Sequence, residues 1–333
     1  MDSEIEVSAV VPVYNEEASL HELHRRLTAA LSGLGASYEV VLVDDGSRDR
    51  SPELMAELCR RDPHVRAITF SRNFGHQAAL AAGLKHASGR AVVVMDADLQ
   101  DPPELLEQLL GRWREGYDVV YAQRTNRGRE PLLKRLFAYG YYRTLRRLSP
   151  VEIPPDTGDF CLMDRRVVDL LNQMPERNRF VRGLRAWVGF RQTAVRFERP
   201  ERYAGEVKYT FRKSLALAVN GIVSFSKVPL RVATYLGLLV SFASFLLAVW
   251  YVVQKLTGAP VVRGWASTVV IVLFLGGVQL LTIGIIGEYI SRIYDEVKQR
   301  PIYIVREMLG FGDRAEATDQ DRAGRRDAAL SSR

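Results

Sequence analysis

Five apolar runs separated by four amphipathic segments fill residues 7–124, and this alternation constrains the fold more than any other feature of the chain. The runs "VSAVVPVY", "YEVVLVDDG", "VRAITFS", "RAVVVMDAD" and "YDVVYAQR" read as strands. Between them, "EEASLHELHRRLTAAL", "SPELMAELCRR", "HQAALAAGLKHA" and "PPELLEQLLGRWREG" carry helical spacing, the last with prolines in its first turn. Strands that are apolar almost throughout are buried on both faces. Helices that alternate with them supply the crossovers a parallel sheet needs. The expectation is an α/β domain with a mostly parallel sheet. Ligands in such sheets bind beyond the carboxyl ends of the strands, so "DDG", "SRN", "DAD" and "QR" belong to one rim.

That rim is acidic. In "AVVVMDADLQDPPE", residues 91–104, a buried-strand pattern ends in Asp96, Asp98, Asp101 and Glu104. Carboxylates gathered this closely repel unless a cation lies among them, and a hard divalent ion with oxygen ligands suits the set. Asp96 and Asp98 share a face if the strand continues extended, and Gln100 can add an amide oxygen. Neighbouring rim segments suit a nucleotide. Pro12, Tyr14 and Glu16 follow the first strand; Tyr14 can stack on a base or ribose and Glu16 can accept from a hydroxyl. Asp44 and Asp45 follow the second, where a carboxylate can read a base N–H or a ribose. Each has a plainer alternative: Asn15 and Glu16 as helix N-capping groups, "DDGS" as a turn. Neither GxGxxG nor GxxxxGK[ST] occurs, which excludes dinucleotide and P-loop sites of those kinds.

Two runs of 22 residues without a charge, 232–253 and 266–287, follow in the C-terminal third. As helices they would each extend about 33 Å, enough to cross a hydrocarbon core. Residues 130–149 and 211–227 mix aromatic, leucine and basic side chains, which suits helices lying at a membrane surface or ordinary amphipathic packing. The loop between the runs carries Lys255 and Arg263, whereas the outer flanks carry Arg212, Lys213, Lys227, Arg231, Arg292, Lys298, Arg300 and Arg306. This asymmetry predicts cytoplasmic termini and an outward loop. The net charge of +7 is spread over these flanks and the phosphate-facing loops rather than along one stripe, which argues against nucleic acid. The two cysteines, Cys59 and Cys161, have no metal-ligand spacing and read as thiols in a reducing compartment. The acidic start "MDSEIEVSAVV" lacks the basic region of a signal peptide.

Taken in order and spacing, "VPVYNEE", "VDDGSRD", "SRNFGHQAAL", "DADLQDPPE" and "GDFCLMDR" resemble glycosyltransferase family 2, and within it the polyprenyl-phosphate sugar transferases. The resemblance covers roughly residues 5–306. It implies a GT-A, Rossmann-like fold, a nucleotide-sugar donor, Mg²⁺ or Mn²⁺, and a polyprenyl phosphate acceptor at the inner (plasma) membrane. By that resemblance Asp96, Asp98 and Gln100 match the metal and diphosphate site. Pro12, Tyr14, Glu16 and Asp45 match the nucleotide pocket. Arg124 matches an arginine beside the donor phosphates, and Arg202 and Lys208 of "RYAGEVK" match a loop closing over them. Val207 stands where many relatives have serine. Asp159 of "GDF" matches the family's catalytic carboxylate. An ionised phosphate acceptor needs no strong base, so an orienting role suits Asp159. Arg72 of "SRNFG" is a candidate lipid-phosphate contact, or a structural arginine of the rim.

The resulting organisation is a cytosolic catalytic domain over 1–210 and a juxtamembrane amphipathic helix over 211–230. Two membrane helices follow within 231–290, then a cytosolic segment over 291–310 and a disordered tail over 311–333. Gln279, mid-span, invites an interhelical hydrogen bond, within the chain or in a homo-oligomer such as a tetramer. Glucose from UDP is the expected donor, with GDP-mannose or an aminoarabinose-type sugar as alternatives. A processive synthase of the same fold would carry QxxRW; the nearest stretch, "GLRAW" at 183–187, lacks the glutamine. A non-catalytic membrane scaffold is the other alternative, and the intact "DADLQ" argues against it.

Overall fold

A computed structural model describes residues 5–125, 157–177, 179–198, 228–257 and 264–311. The chain divides into two compact units. Arg202, Lys208, the expected helix over 130–149, nearly all of 211–230 and the tail beyond Phe311 lie outside the described residues.

The first unit is an eight-stranded sheet with helices packed on it. Its elements begin β1 (Val7–Val13), α1 (Leu20–Gly33), β2 (Tyr38–Asp44), α2 (Ser51–Arg61), β3 (Val65–Phe70), α3 (His76–His86), β4 (Ala91–Val94), α4 (Leu106–Arg114) and β5 (Val119–Arg124). After the undescribed stretch come β6 (Thr157–Asp164), α5 (Arg165–Gln173), α6 (Val181–Trp187) and β7 (Gln192–Phe197). Strand order is β7-β5-β6-β4-β1-β2-β3-β8, where β8 is Val305–Leu309. The expected parallel core is present: β1 pairs in parallel with β2 and β4, and β2 with β3. All seven residues of β1 are buried, which is the burial its continuous apolar run required.

Helix α1 buries Leu20, Leu23, Leu27 and Leu31, one stripe at helical spacing, under one face of the sheet. Helix α3 is different. Its small residues, Ala78, Ala79, Ala81, Ala82 and Gly83, are all buried, and the helix lies directly on β1 and β2. This close seat fixes the first residue of α3, His76, at the rim.

The sheet is mostly parallel, as expected, and two of its features were not read from the sequence. First, it includes antiparallel strands. β6 inserts between β4 and β5 and runs antiparallel to both. The local pattern of "TGDFCLMD" is that of any buried strand, and nothing within it encodes direction. Second, the segment 291–310 ends in a strand of this sheet. Its last part, β8, pairs antiparallel with β3 and covers what would otherwise be an open sheet edge.

The second unit is helical. Helix α7 (Val228–Leu256) and helix α8 (Trp265–Val297) contact each other as a hairpin. Both outrun the expected spans of 232–253 and 266–287. Among the described residues one stretch, Phe274–Val297, is long and apolar enough to cross a membrane; α7 contributes a shorter apolar stretch, Ala233–Leu247. Two complete spans are therefore not established. Leu239, Phe242, Phe245, Phe274 and Ile283 are all more than half exposed. Apolar surface on this scale does not face water in a stable soluble domain.

Candidate active site

The rim is assembled from loops whose backbones are bonded to one another. After β1, Asn15 adopts a left-handed backbone (φ 53°), donates its N–H to Ser47 Oγ (2.9 Å) and accepts from the Arg48 N–H through Oδ1 (2.8 Å). Glu16 N–H donates to Ser51 Oγ, and the Ser19 hydroxyl donates to the Glu16 carboxylate (3.0 Å). Glu16 thus serves at least the helix-start role. Tyr14 is exposed at the loop tip, while Pro12 lies within β1, buried opposite Val43.

Asp44 and Asp45 differ sharply. Asp45 holds the next loop: its carboxylate accepts from Phe74 N–H (2.7 Å), Gly75 N–H (2.9 Å) and Asn73 Nδ2 (2.9 Å). Burial raises its pKa, and the Phe74 and Gly75 N–H groups oppose that rise. Asp44 is wholly buried, accepts from Ser47 N–H through Oδ1 (3.0 Å), and its Oδ2 has no hydrogen-bond partner. Burial raises its pKa as well. Arg72 is exposed on the same loop. Its guanidinium lies 4.0 Å over the Phe74 ring and donates to the Asn73 carbonyl (2.9 Å). Below it, Ser71 N–H donates to Ile304 O and Phe70 stacks on Tyr303, so the chain leading into β8 braces this loop.

At the end of β4, Asp96 is one-third exposed and Asp98 is buried. Leu99, buried with φ 60°, turns the chain so that Gln100 N–H returns to Asp98 Oδ1 (3.1 Å). Asp101 Oδ2 accepts from Asp96 N–H (3.2 Å). No group of three His, Cys, Asp or Glu side chains able to hold a metal occurs among the described residues. The donors expected from the sequence, Asp96, Asp98 and Gln100, are two carboxylates and an amide. That suits Mg²⁺ or Mn²⁺ of the kind that takes one or two protein carboxylates and completes its shell with water and substrate phosphates.

The β4–β6 register explains where Asp159 sits. Val94 pairs with Cys161, so continuing two residues past Val94 and two back from Cys161 brings Asp96 beside Asp159. His76 lies against both carboxylates, its Nε2 3.4 Å from Asp159 Oδ2 and 3.8 Å from Asp96 Oδ1. Arg182, on α6, places Nη2 3.4 Å from Asp159 Oδ1. Burial works against the charged carboxylate, but the His76 hydrogen bond and the Arg182 charge outweigh it and hold Asp159 well below the usual range. Helices α3 and α6 are tied together beside the carboxylate, since Gln77 Oε1 accepts from Val181 N–H (2.8 Å). Behind lies Arg185, 1% exposed, one helical turn from Arg182, against Cys161 and with its guanidinium carbon 5.8 Å from the centre of the Tyr121 ring. Arg124 ends β5 with a buried Nε that has no partner. Its Nη2 passes within 3.1 Å of where a Cβ on Gly158 would stand, so glycine makes room for it.

Asp96, Asp98 and Gln100 thus follow β4, Asp159 lies on β6 and Arg124 ends β5, three strands adjacent in the sheet. Tyr14, Glu16, Asp44, Asp45 and Arg72 belong to the strand ends across β1, β2 and β3. His76, Arg182 and Arg185 were not singled out from the sequence. The only local signal was "RGLR", two arginines three apart, on one face if helical.

Residues 8–171 match the family model described as Glycosyl transferase family 2, and residues 228–293 match that of the GtrB C-terminal hairpin. An uncharacterized glycosyltransferase of Bacillus subtilis is 49% identical over 96% of this chain and 99% of its own length. The SfII prophage-derived bactoprenol glucosyl transferase of Shigella flexneri is 43% identical over 91% of this chain and 98% of its own. Among solved structures, glucosyl-3-phosphoglycerate synthase from Mycobacterium tuberculosis superposes with a TM-score of 0.45 at 20% identity, covering 66% of this chain and 76% of that one. Identity of this extent over nearly whole chains, with the rim motifs and the hairpin both present, places the chain in glycosyl transferase family 2.

Proposed function

We propose that the protein transfers glucose from UDP-glucose to a polyprenyl phosphate, of which undecaprenyl phosphate is the expected case, at the cytoplasmic leaflet. The observation that carries this reading is the pairing, in one chain, of the acidic rim with the C-terminal hairpin. The same pairing extends over 98% of the length of a relative named for bactoprenol glucosyl transfer.

The lipid phosphate oxygen attacks the anomeric carbon from the face opposite the leaving UDP. The new C–O bond forms as the bond to the diphosphate breaks, its electron pair leaves with UDP, and the configuration inverts. The nucleophile is already ionised near neutral pH, so no proton has to be removed. Asp96, Asp98 and Gln100 would hold Mg²⁺ or Mn²⁺, which when bound offsets the charge of the diphosphate. Arg124, with its uncommitted Nε, and Arg202 and Lys208 stabilise the charge that grows on the leaving group. Asp44 Oδ2, buried and unpaired, is the better acceptor for a nucleotide N–H or hydroxyl than Asp45, whose oxygens hold the 73–75 loop. Tyr14 supplies a face for the base or ribose. The exposed apolar hairpin enters the bilayer with both ends cytoplasmic, consistent with the basic flanks.

Reconstitution with undecaprenyl phosphate and labelled UDP-glucose tests the reading, with GDP-mannose and a UDP-aminoarabinose-type sugar as parallel donors. Glucosyl lipid of inverted configuration is expected. Transfer from another donor alone would replace the sugar assignment, and no transfer from any donor would favour a non-catalytic scaffold.

A further inference from the structure

Four side chains stack in a column from the chain after the hairpin to the rim. Tyr303, just before β8, lies face to face with Phe70, the rings 4.9 Å apart and 10° from parallel. Phe70 meets Phe74 edge to face at 5.8 Å. The Arg72 guanidinium lies 4.0 Å over the Phe74 ring. Beside the column, Ser71 N–H donates to Ile304 O (3.0 Å). The 71–75 loop is thus held from two sides. Asp45 takes Asn73 Nδ2 and the Phe74 and Gly75 N–H groups, while the chain leading into β8 takes Phe70 and Ser71. Ser71, Arg72 and Asn73 are exposed, so packing of their own side chains does little to fix them.

We infer that Tyr303 is a positioning residue of the donor site, acting through Phe70 and Phe74 on the 71–75 loop and so on the Asp44–Asp45–Gly46 turn. The assignment deepens the nucleotide-sugar reading above and rests on it for the ligand. Three observations support it. The Arg72 and Asn73 backbone closes directly over Gly46, leaving no room for a Cβ there. Asp44 pairs with Thr69 and Thr69 with Glu307, so β8 lies in the same cross-strand row as the carboxylate proposed to read the nucleotide. Burial raises the Asp44 pKa, and Arg306 of β8 is among the groups that oppose the rise. The physical link is packing. Phe70 is 1% exposed, and removing the Tyr303 ring strips its covered face. Phe70 and Phe74 can then shift into the space. Phe74 N–H is 2.7 Å from Asp45 Oδ1, and a hydrogen bond of that length weakens steeply when its donor turns away.

The test uses the full chain in detergent micelles and reads two quantities. One is hydrogen exchange across the 71–75 loop without nucleotide; the other is UDP affinity by calorimetry. Tyr303→Ala should speed exchange of the loop about tenfold and weaken UDP binding about three- to tenfold, the range that the coupling of one aromatic pair supports. Tyr303→Phe, which keeps the ring, should stay within about twofold of the parent in both. Leu309→Ala truncates a partly buried side chain at the other end of β8, opposite Ala67. It should lower the Tm and leave UDP affinity within about twofold. If Tyr303→Ala does not fold, Tyr303→Leu, which fills the space without a flat ring, decides by the same readings. Unchanged exchange, unchanged UDP affinity, equal losses in Tyr303→Phe and Tyr303→Ala, or an equal UDP loss in Leu309→Ala at the same drop in Tm each overturns the assignment. A parent protein that binds no UDP sinks the nucleotide reading, and exchange alone then decides whether Tyr303 sets the loop.

Discussion

Gly46 and Gly35 offer a comparison that separates backbone strain from crowding. Both have a left-handed backbone, φ 70° and φ 63°. A Cβ on Gly35 would meet nothing within 4 Å, whereas one on Gly46 would lie 2.5 Å from the Arg72 carbonyl carbon and 2.6 Å from the Asn73 nitrogen. The strain of alanine in this region is about 1–2 kcal/mol and applies to both. At Gly46 the neighbouring backbone must also retreat by roughly 1 Å to reach ordinary contact. That backbone is pinned through Phe74 and Gly75 N–H to the Asp45 carboxylate. Losing one such charge-assisted bond adds about 1.5–3 kcal/mol. Gly46→Ala should therefore destabilise by about 2.5–5 kcal/mol, and Gly35→Ala by about 1–2 kcal/mol. Thermal unfolding of the full chain, followed by tryptophan fluorescence, gives the two midpoint shifts, and UDP binding gives the functional effect. The Gly46 shift should be two- to threefold the larger, with weakened UDP binding at that site only. Equal shifts, or normal UDP binding in a folded Gly46→Ala protein, would refute the view that Asp45 and Gly46 fix the 72–75 loop for the site.

Asp98→Asn should lower transfer about a hundredfold, and full activity in excess chelator would remove the metal from the scheme. Cys59 should resist alkylation: burial, with the nearby Asp62 charge, pushes its thiol up to about 11. At pH 8 it should react about a hundredfold more slowly than a thiol of ordinary pKa, and the rate should rise about tenfold per pH unit; rapid labelling of the native protein at pH 8 would contradict its placement. A cysteine replacing Thr257 should react with an impermeant thiol reagent in intact cells, and one replacing Glu115 should react only after lysis. The reverse pattern would place the donor site on the wrong side of the membrane.

Much of the site was legible from residue order because strand ends are local features. The apolar run of β4 stops at Val94 and the carboxylates follow at once, so the rim position of Asp96 and Asp98 needed no tertiary information. The motif resemblance likewise marked Asp159 and Arg124. It did not show that the Asp45 oxygens are bonded to a loop 28–30 residues away. It also did not mark His76, Arg182 or Arg185. Gln77 and Val181, whose bond ties the two helices at Asp159, are 104 residues apart, and no periodicity in a short window reports such a pair.

The sequence by itself determined which segments form the first five strands and four helices, which face of α1 is buried, which residues end on the rim, and that two long apolar helices lie in the C-terminal third. These follow from hydrophobic spacing over a few residues, where side-chain direction is dictated by the 2.0 and 3.6 periods. Only the tertiary structure decided that β6 enters between β4 and β5 in reverse, bringing Asp159 beside Asp96, and that β8 returns after the hairpin to cover β3. Strand order and direction depend on which edges and faces must be closed against water at once. That contest is between whole arrangements of the chain, and any buried strand of suitable length satisfies its local terms equally well.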